Sequence, residues 1–485
     1  MWREALPSGN GVIGASVYGA VEEETIILGH AELWHWGRKD ELPDVSHTLA
    51  ETRKLMDEHQ FLKASWHLTN AVRESGYNTK LAARFPVAEI KLQMPCKEAF
   101  RAYQRSLNME TGEVSVKWNE GSAKYERKLF VSRSDDVIVY EIASDQHLVS
   151  GTIGLAFHPT DGGKSDQYIE LEQSIEVKAE QPYVYYAGKN DDGTDFGAVM
   201  RVIPTGGQLT QTENAVRFTD CEKVLVLVKV FVTSGRNESW AKLKQELSMM
   251  NESYDRMLAS HQTIHQRLFH SASMALGDGK EADWRSNEEL MLEAYGGEAP
   301  TSLIEKMWAY GRYLFISGTD AQSLPFGMYG LWGGDYRLIW SHNMANENVQ
   351  MMYWHAPVGG LHELMPALFN YYEQMMDDFR SNAKKLYGCR GIYIPAGTTP
   401  GIGVPNQIVP VIMNWTSAAG WLSRHYYEYY LFTGDEQFLK EKLLPFMRET
   451  ALFYEDFLVV GEDGCYRYYP SVSPENTPQN FMPKD

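Results

Sequence analysis

Apolar and polar residues alternate with a period of two through most of the first 235 positions, which predicts strands with one buried face. GVIGASVYGAVEEETIILGHAELWHW swings between the two classes around a glutamate-rich turn. YQRSLNMETGEVSVKWNEGSAKYERKLFVSRSDDVIVYEIAS reads as a meander broken at Thr111-Gly112, at Asn119-Glu120-Gly121 and at Ser134-Asp135-Asp136. FGAVMRVIP and KVLVLVKVFVTS extend it, and helix formers at three-to-four spacing over about 47–73 predict one helical insertion. So many short antiparallel strands point to a large β-sandwich over residues 1–235.

At Asn237 the period changes to 3.6 in NESWAKLKQELSMMNESYDRMLASHQTIHQRLFHSAS. Asn237 is expected as the N-cap, with a glutamate in the first turn, and residues 236–285 form a helical linker. His265 and His270 are expected on its solvated face. From 286 to 485 helix follows helix, near 302–317, 344–356, 361–386, 415–433 and 436–458. The loops between them are long and rich in glycine and proline, as in GTDAQSLPFGMYGLWGGD and GCRGIYIPAGTTPGIGVP. That combination suits a toroid of paired helices whose loops build a site at one end. A plain bundle would use shorter loops.

At 485 residues the chain is too long for one core, and one domain per roughly 150 residues gives about three. The net charge of −19, without a basic stripe, excludes nucleic acid as a partner. Aromatic residues at 12%, with 13 Trp and 28 Tyr, suit a carbohydrate cleft, and equally a large core. Cys96, Cys221, Cys389 and Cys465 lie far apart, so free thiols are expected rather than a zinc site or a disulfide scaffold. None of the 14 histidines forms a pair at metal-ligand spacing, and neither a strand-following GxGxxG nor a P-loop occurs. No metal and no cofactor are expected. No window of 18 apolar residues is present, so no membrane span is expected. MWREALPSGNG lacks the basic and apolar regions of a signal peptide, which predicts a cytoplasmic protein, or a secreted or periplasmic one if its start has been clipped.

Two groups could carry chemistry. Glu428, in WLSRHYYEYYLFTGDEQF, has Arg424, His425, Leu431 and Phe432 at helical spacing. Partial desolvation there would suit a general acid, although pairing with Arg424 or His425 is the more ordinary role for such a glutamate. In NENVQMMYWHAP, Asn346 and Asn348 flank Glu347 near a predicted helix start. One asparagine there is usually a cap, but two at i and i+2 cannot cap the same turn. Two amide oxygens aimed at one spot would instead hold and polarise a water molecule.

Several blocks, in order along essentially the whole chain, resemble glycoside hydrolase family 95. EALPSGNGVIGASVYGAVEEETIILGHAELW is similar to that family's opening. LPFGMYGLW, WSHNMANENVQMMYWHAPVGGLHEL, LYGCRG, HYYEYYLFTGD and PSVSPEN continue the match. The resemblance implies an N-terminal β-domain, a helical linker and an (α/α)6 barrel that carries the active site, of which residues 286–485 are the N-terminal part. It implies an inverting α-L-fucosidase or α-L-galactosidase acting on an oligosaccharide without a metal. Glu428 matches the general acid, and Asn346 and Asn348 match two asparagines that hold the attacking water for a distant aspartate. His342, Trp354, His425, Tyr427 and Glu475, which fall in the same blocks, and Thr398 and Thr399 after LYGCRG are expected around the sugar.

The chain also departs from the family pattern. The aspartate follows a Q-I-D-G-N-x-G motif that residues 1–485 do not contain, so a C-terminal complementing segment is an expected partner. Thr398 and Thr399 stand in IYIPAGTTPG where the family has H-H-N-T-D. Met352 replaces an asparagine, and Tyr427 and Tyr429 replace the tryptophan and histidine beside the acid. These positions bear on which sugar is bound more than on the reaction. The competing readings are a carbohydrate-binding or split subunit that lacks the base, and a sugar phosphorylase on the related family 65 scaffold.

Overall fold

The computed structural model describes residues 4–474 except positions 97, 147, 161, 278–284 and 337. The chain divides into two compact units, one comprising Met1–Leu33, Phe85–Leu324 and Tyr329–Arg337, the other Trp34–Arg84, Pro325–Met328 and Leu338–Asp485.

The first unit holds two antiparallel sheets of seven and eight strands. In the smaller sheet, Leu6–Gly9, Ile13–Val17 and Glu23–His30 run side by side and lead through Ala88–Gln93 to Val149–Ala156 and Ala215–Cys221. The larger sheet has Lys223–Ser234 at its centre, between Asp195–Thr205 and Ile138–Ser144. The sheets face each other as a sandwich. On its far side the larger sheet is covered by helices, with Phe130, Val139, Tyr185, Val199 and Leu227 packed against Trp240, Leu243, Leu247, Tyr254 and Met257. Burial on both faces explains why residues 138–142 are buried at every position rather than at alternate ones.

Those covering helices are Arg236–Met249 and Tyr254–Phe269. The first is capped by Gly235, not by Asn237, which lies inside the first turn. The capping acceptor comes from another strand: Asp195 accepts from the Arg236 backbone N–H at 3.0 Å and from its guanidinium at 2.8 Å. His270 is half exposed, as expected, but His265 is fully buried together with His261. Their Nε2 atoms bond the carbonyls of Met109 and Thr111 at 2.9 and 3.0 Å, pinning the helix to a hairpin turn. The helical period is right, but the polar face of an imidazole pair meets backbone acceptors instead of water.

In the second unit the expected insertion appears as Thr48–Asp57 and Phe61–Glu74. Leu68 and Val72 of this pair join Ala383, Leu386, Tyr387, Phe453 and Phe457 in one core. The helix expected over 344–356 begins only at Asn348, because Asn343 and Met344 are drawn into a two-stranded pairing with Thr398 and Gly397. The span 361–386 breaks into Pro366–Glu373 and Met376–Tyr387, with Pro366 starting the first because it has no amide hydrogen to donate backwards. Ala418–Thr433 ends at Gly434 in the left-handed conformation, and Asp435 then caps the next turn through the N–H groups of Gln437 and Phe438. This accounts for the FTGD run in local terms. A π-helical turn, Leu439–Leu443, precedes Leu444–Phe457, where Pro445 cannot give the regular bond to Glu441.

The four cysteines are unpaired. Among the described residues, no helix is long and apolar enough to cross a membrane. Within the same residues, no group of three or more His, Cys, Asp and Glu side chains is placed to hold a metal ion.

Candidate active site

The second unit gathers most of the candidate residues at the two ends of one short helix, Asn348–Trp354. At its N-terminal end, Asn343 pairs with Thr398 and Met344 with Gly397, while the Ala345 N–H bonds the Ala396 carbonyl at 2.7 Å. This zipper brings His342, Asn343, Asn346, Thr398 and Thr399 together. The His342 ring lies against the bare α-carbon of Gly397. Its burial pulls the imidazole down to about 4, so the ring is neutral at pH 7. Both threonines are buried: Thr398 Oγ1 accepts from the Tyr371 hydroxyl at 3.0 Å, and Thr399 Oγ1 accepts from the Ala82 N–H at 3.3 Å.

The asparagines do not cap the helix. Glu347 occupies the N-cap without a side-chain bond, and Asn348 is the first helical residue. Asn346 Oδ1 is buried with no hydrogen-bond partner in the protein, as are His342 Nε2 and Asn343 Nδ2. Buried polar atoms are normally paired with protein or water, and three without a protein partner fall here within five residues of sequence.

At the C-terminal end, Trp354 makes edge contacts with Trp421 and His425 at 6.5 and 6.0 Å between ring centres. The Arg424 guanidinium lies 5.3 Å over the same indole and donates to Glu428 Oε1 at 2.8 Å. The Glu428 side chain is 18% exposed, against 59% for Arg424. His425 is buried, and its Nε2 lies 2.9 Å from the Gln350 carbonyl, which joins Ala418–Thr433 to the short helix. Burial lowers its pKa, and the bond to that carbonyl opposes the shift. Tyr427 is 48% exposed and turned away from His425 and Tyr426, which are buried. Glu475 lies outside the described residues.

Four residues that the sequence did not single out belong to this neighbourhood: Arg84, Gly327, Asn343 and Gln350. Asn343 stands three positions before Asn346 in the same polar block, a signal that was available. Arg84 in LAARFP carried none. A separate cleft of about 580 Å³ opens beside the π turn, lined by Glu373, Arg380, Lys442 and Glu449 among others. Its charges neutralise one another through Lys442–Glu373 and Arg380–Glu449 pairs at 2.5 and 3.1 Å, and no candidate residue lines it.

Residues 253–484 match the glycosyl hydrolase family 95 catalytic domain, and residues 1–233 match the glycosyl hydrolase family 65 N-terminal domain. Alpha-L-fucosidase 2 of Arabidopsis thaliana is 26% identical over 98% of this chain and 60% of its own length. Probable alpha-fucosidase A of Aspergillus niger is 25% identical over 98% of this chain and 62% of its own. The chain thus spans about 60% of the length of these curated relatives. Among solved structures, a putative kojibiose phosphorylase from the human microbiome superposes with a TM-score of 0.63 at 14% identity, covering 98% of this chain and 60% of that one. That likeness identifies the fold: an antiparallel β-sandwich followed by a helical region of the (α/α)6 barrel type. The chain is thus similar to glycoside hydrolase family 95 over residues 253–484, and to two curated alpha-fucosidases at about a quarter identity over nearly all of its length.

Proposed function

We propose that this chain carries the acid and the water-holding groups of an inverting glycoside hydrolase that removes a terminal α-L-fucosyl or α-L-galactosyl residue from an oligosaccharide. The observation that carries the reading is the orphaned, buried oxygen of Asn346 at one end of the 348–354 helix, with the largely shielded Glu428 carboxyl anchored beside the other end. Asn348 and Trp354 are six helical steps apart, about 9 Å along the axis at 1.5 Å per residue. Inverting hydrolysis needs its acid on one side of the sugar and the water with its base on the other.

In this reading Glu428 gives its proton to the leaving oxygen, with Arg424 and the Trp354 indole setting the direction of its carboxyl. Asn346 and Asn348 accept hydrogen bonds from the attacking water and orient it. Amides do not take up its proton at neutral pH, so the reaction also needs a carboxylate, which the resemblance assigns to a C-terminal complementing segment. His342 and His425, both pulled toward their neutral forms by burial, act as hydrogen-bonding walls.

The test is hydrolysis of a 4-nitrophenyl α-L-fucoside and of a fucosyl oligosaccharide by the full-length protein, with the product anomer read by NMR. The β-anomer should form first, and Glu428→Gln should lower kcat by about 10²–10⁴ on the oligosaccharide, the range a general acid supplies. Unchanged turnover by Glu428→Gln, or first formation of the α-anomer, overturns the reading.

A further inference from the structure

Gly327 is buried and belongs to the same unit as the candidate site. A β-carbon added there would lie 3.8 Å from Asn343 Oδ1 and 3.9 Å from Arg84 Nη1, both ordinary contact distances, and nothing else comes within 4 Å. The absent side chain therefore leaves a small space rimmed by an amide and a guanidinium.

Both rim groups are held in place. Arg84 is paired across two short strands with Trp34, and its guanidinium lies 4.8 Å over that indole. Burial draws it down to about 10, so it is charged at pH 7, and the groups whose charge acts on it are the phenols of Tyr371 and Tyr353. Asn343 is 2% exposed and fixed by its backbone pairing with Thr398. Its Nδ2 is buried without a hydrogen-bond partner in the protein. The neighbouring His342 Nε2 is likewise buried without a partner.

A sugar hydroxyl matches such a rim, because it both donates and accepts. It can accept from a guanidinium N–H or from Asn343 Nδ2, and donate to Asn343 Oδ1. Two adjacent hydroxyls on one ring match the fork of a guanidinium better than a single one does. We propose that Arg84 and Asn343, across the gap left by Gly327, form a subsite that binds two neighbouring hydroxyls of the terminal sugar and so sets its orientation toward Asn346. This rests on the glycosidase reading and adds to it the residues that position the sugar.

Gly327→Ala is the decisive variant. It places one methyl group in the gap at unstrained distances, and Gly327 is not in the left-handed region, so the fold is kept. Calorimetric titration of the full chain with L-fucose and with L-galactose should give at least tenfold weaker binding for Gly327→Ala than for the unaltered chain, with its melting temperature unchanged. Arg84→Lys, which keeps the charge but loses the fork, should also weaken binding tenfold. Wild-type affinity in Gly327→Ala overturns the subsite, as does failure of the unaltered chain to bind either sugar. Normal hydrolysis by Glu428→Gln would count against the glycosidase reading alone, leaving the binding comparison intact.

Discussion

Gly29 turns its bare α-carbon toward the carbonyl oxygen of Leu331, and a β-carbon there would collide with it. Its cross-strand partner Gly14 faces the same residue, with a would-be β-carbon 2.5 Å from Leu331 Cβ. The loop is tied down on either side, since Trp332 Nε1 donates to the Ser8 carbonyl at 2.8 Å. Gly14 and Gly29 thus have a packing reason: they clear a seat for the GLW segment some 300 residues later. Gly29→Ala should destabilise the protein by about 1–3 kcal/mol, the usual cost of forcing atoms into a filled space. Urea denaturation measures it, and a variant as stable as the parent would show that the loop is not seated there.

The sandwich interior contains an ion pair, Arg127–Glu24, 3.5 Å apart with both side chains at most 1% exposed. Burial raises the Glu24 carboxyl above its ordinary range, although Arg127 and the N–H groups of Gly19, Thr25 and Ala20 oppose the shift. The Arg127 guanidinium also rests 4.7 Å over Trp118. Removing one partner strands the other charge, so Glu24→Leu should cost about 3–5 kcal/mol. The double replacement Glu24→Leu/Arg127→Met should recover most of that loss. Equal destabilisation in the single and double variants, compared by chemical denaturation, would refute this account.

His261 and His265 are buried, and burial takes them from 6.5 to about 3 and about 4. Above pH 6.5 neither the folded nor the unfolded chain protonates them, and their contacts keep full strength. As the pH falls below 6.5, the unfolded chain takes up protons that the buried rings refuse. Stability then drops by about 1.4 kcal/mol per pH unit for each histidine, levelling off near pH 4 for His265 and near pH 3 for His261. Between pH 7 and about pH 5.5 the pair should cost about 2–3 kcal/mol. The His261→Gln/His265→Gln variant should lose that part of the pH dependence; a profile identical to that of the parent would contradict it.

Asn346 separates a catalytic role from a structural one. Its Oδ1 makes no hydrogen bond within the protein, so Asn346→Ala should change stability by only about 0.5 kcal/mol. If the amide orients the attacking water, kcat should fall by about 10² or more while KM barely moves. A variant that melts much earlier and retains its turnover would assign the residue to packing.

What could be read along the chain was what depends on near neighbours. The β-rich runs through Glu23–His30 and Lys223–Ser234, the helical period of Tyr254–Phe269, and the helical spacing around Glu428 are all local patterns, and each sits in the element the pattern predicts. The order of blocks likewise carried the resemblance to family 95, because motif spacing survives at low identity. Tertiary packing decided the rest. It placed Trp34–Arg84, a segment that reads as an insertion in the β-domain, in the helical unit. It buried His265 by supplying a carbonyl 156 positions away in sequence. It also set Arg84 beside Gly327 and Asn343, more than 240 residues further on, around a space no single segment encodes. A side chain's periodicity follows from its own backbone, but its partner follows from which distant face lands on it.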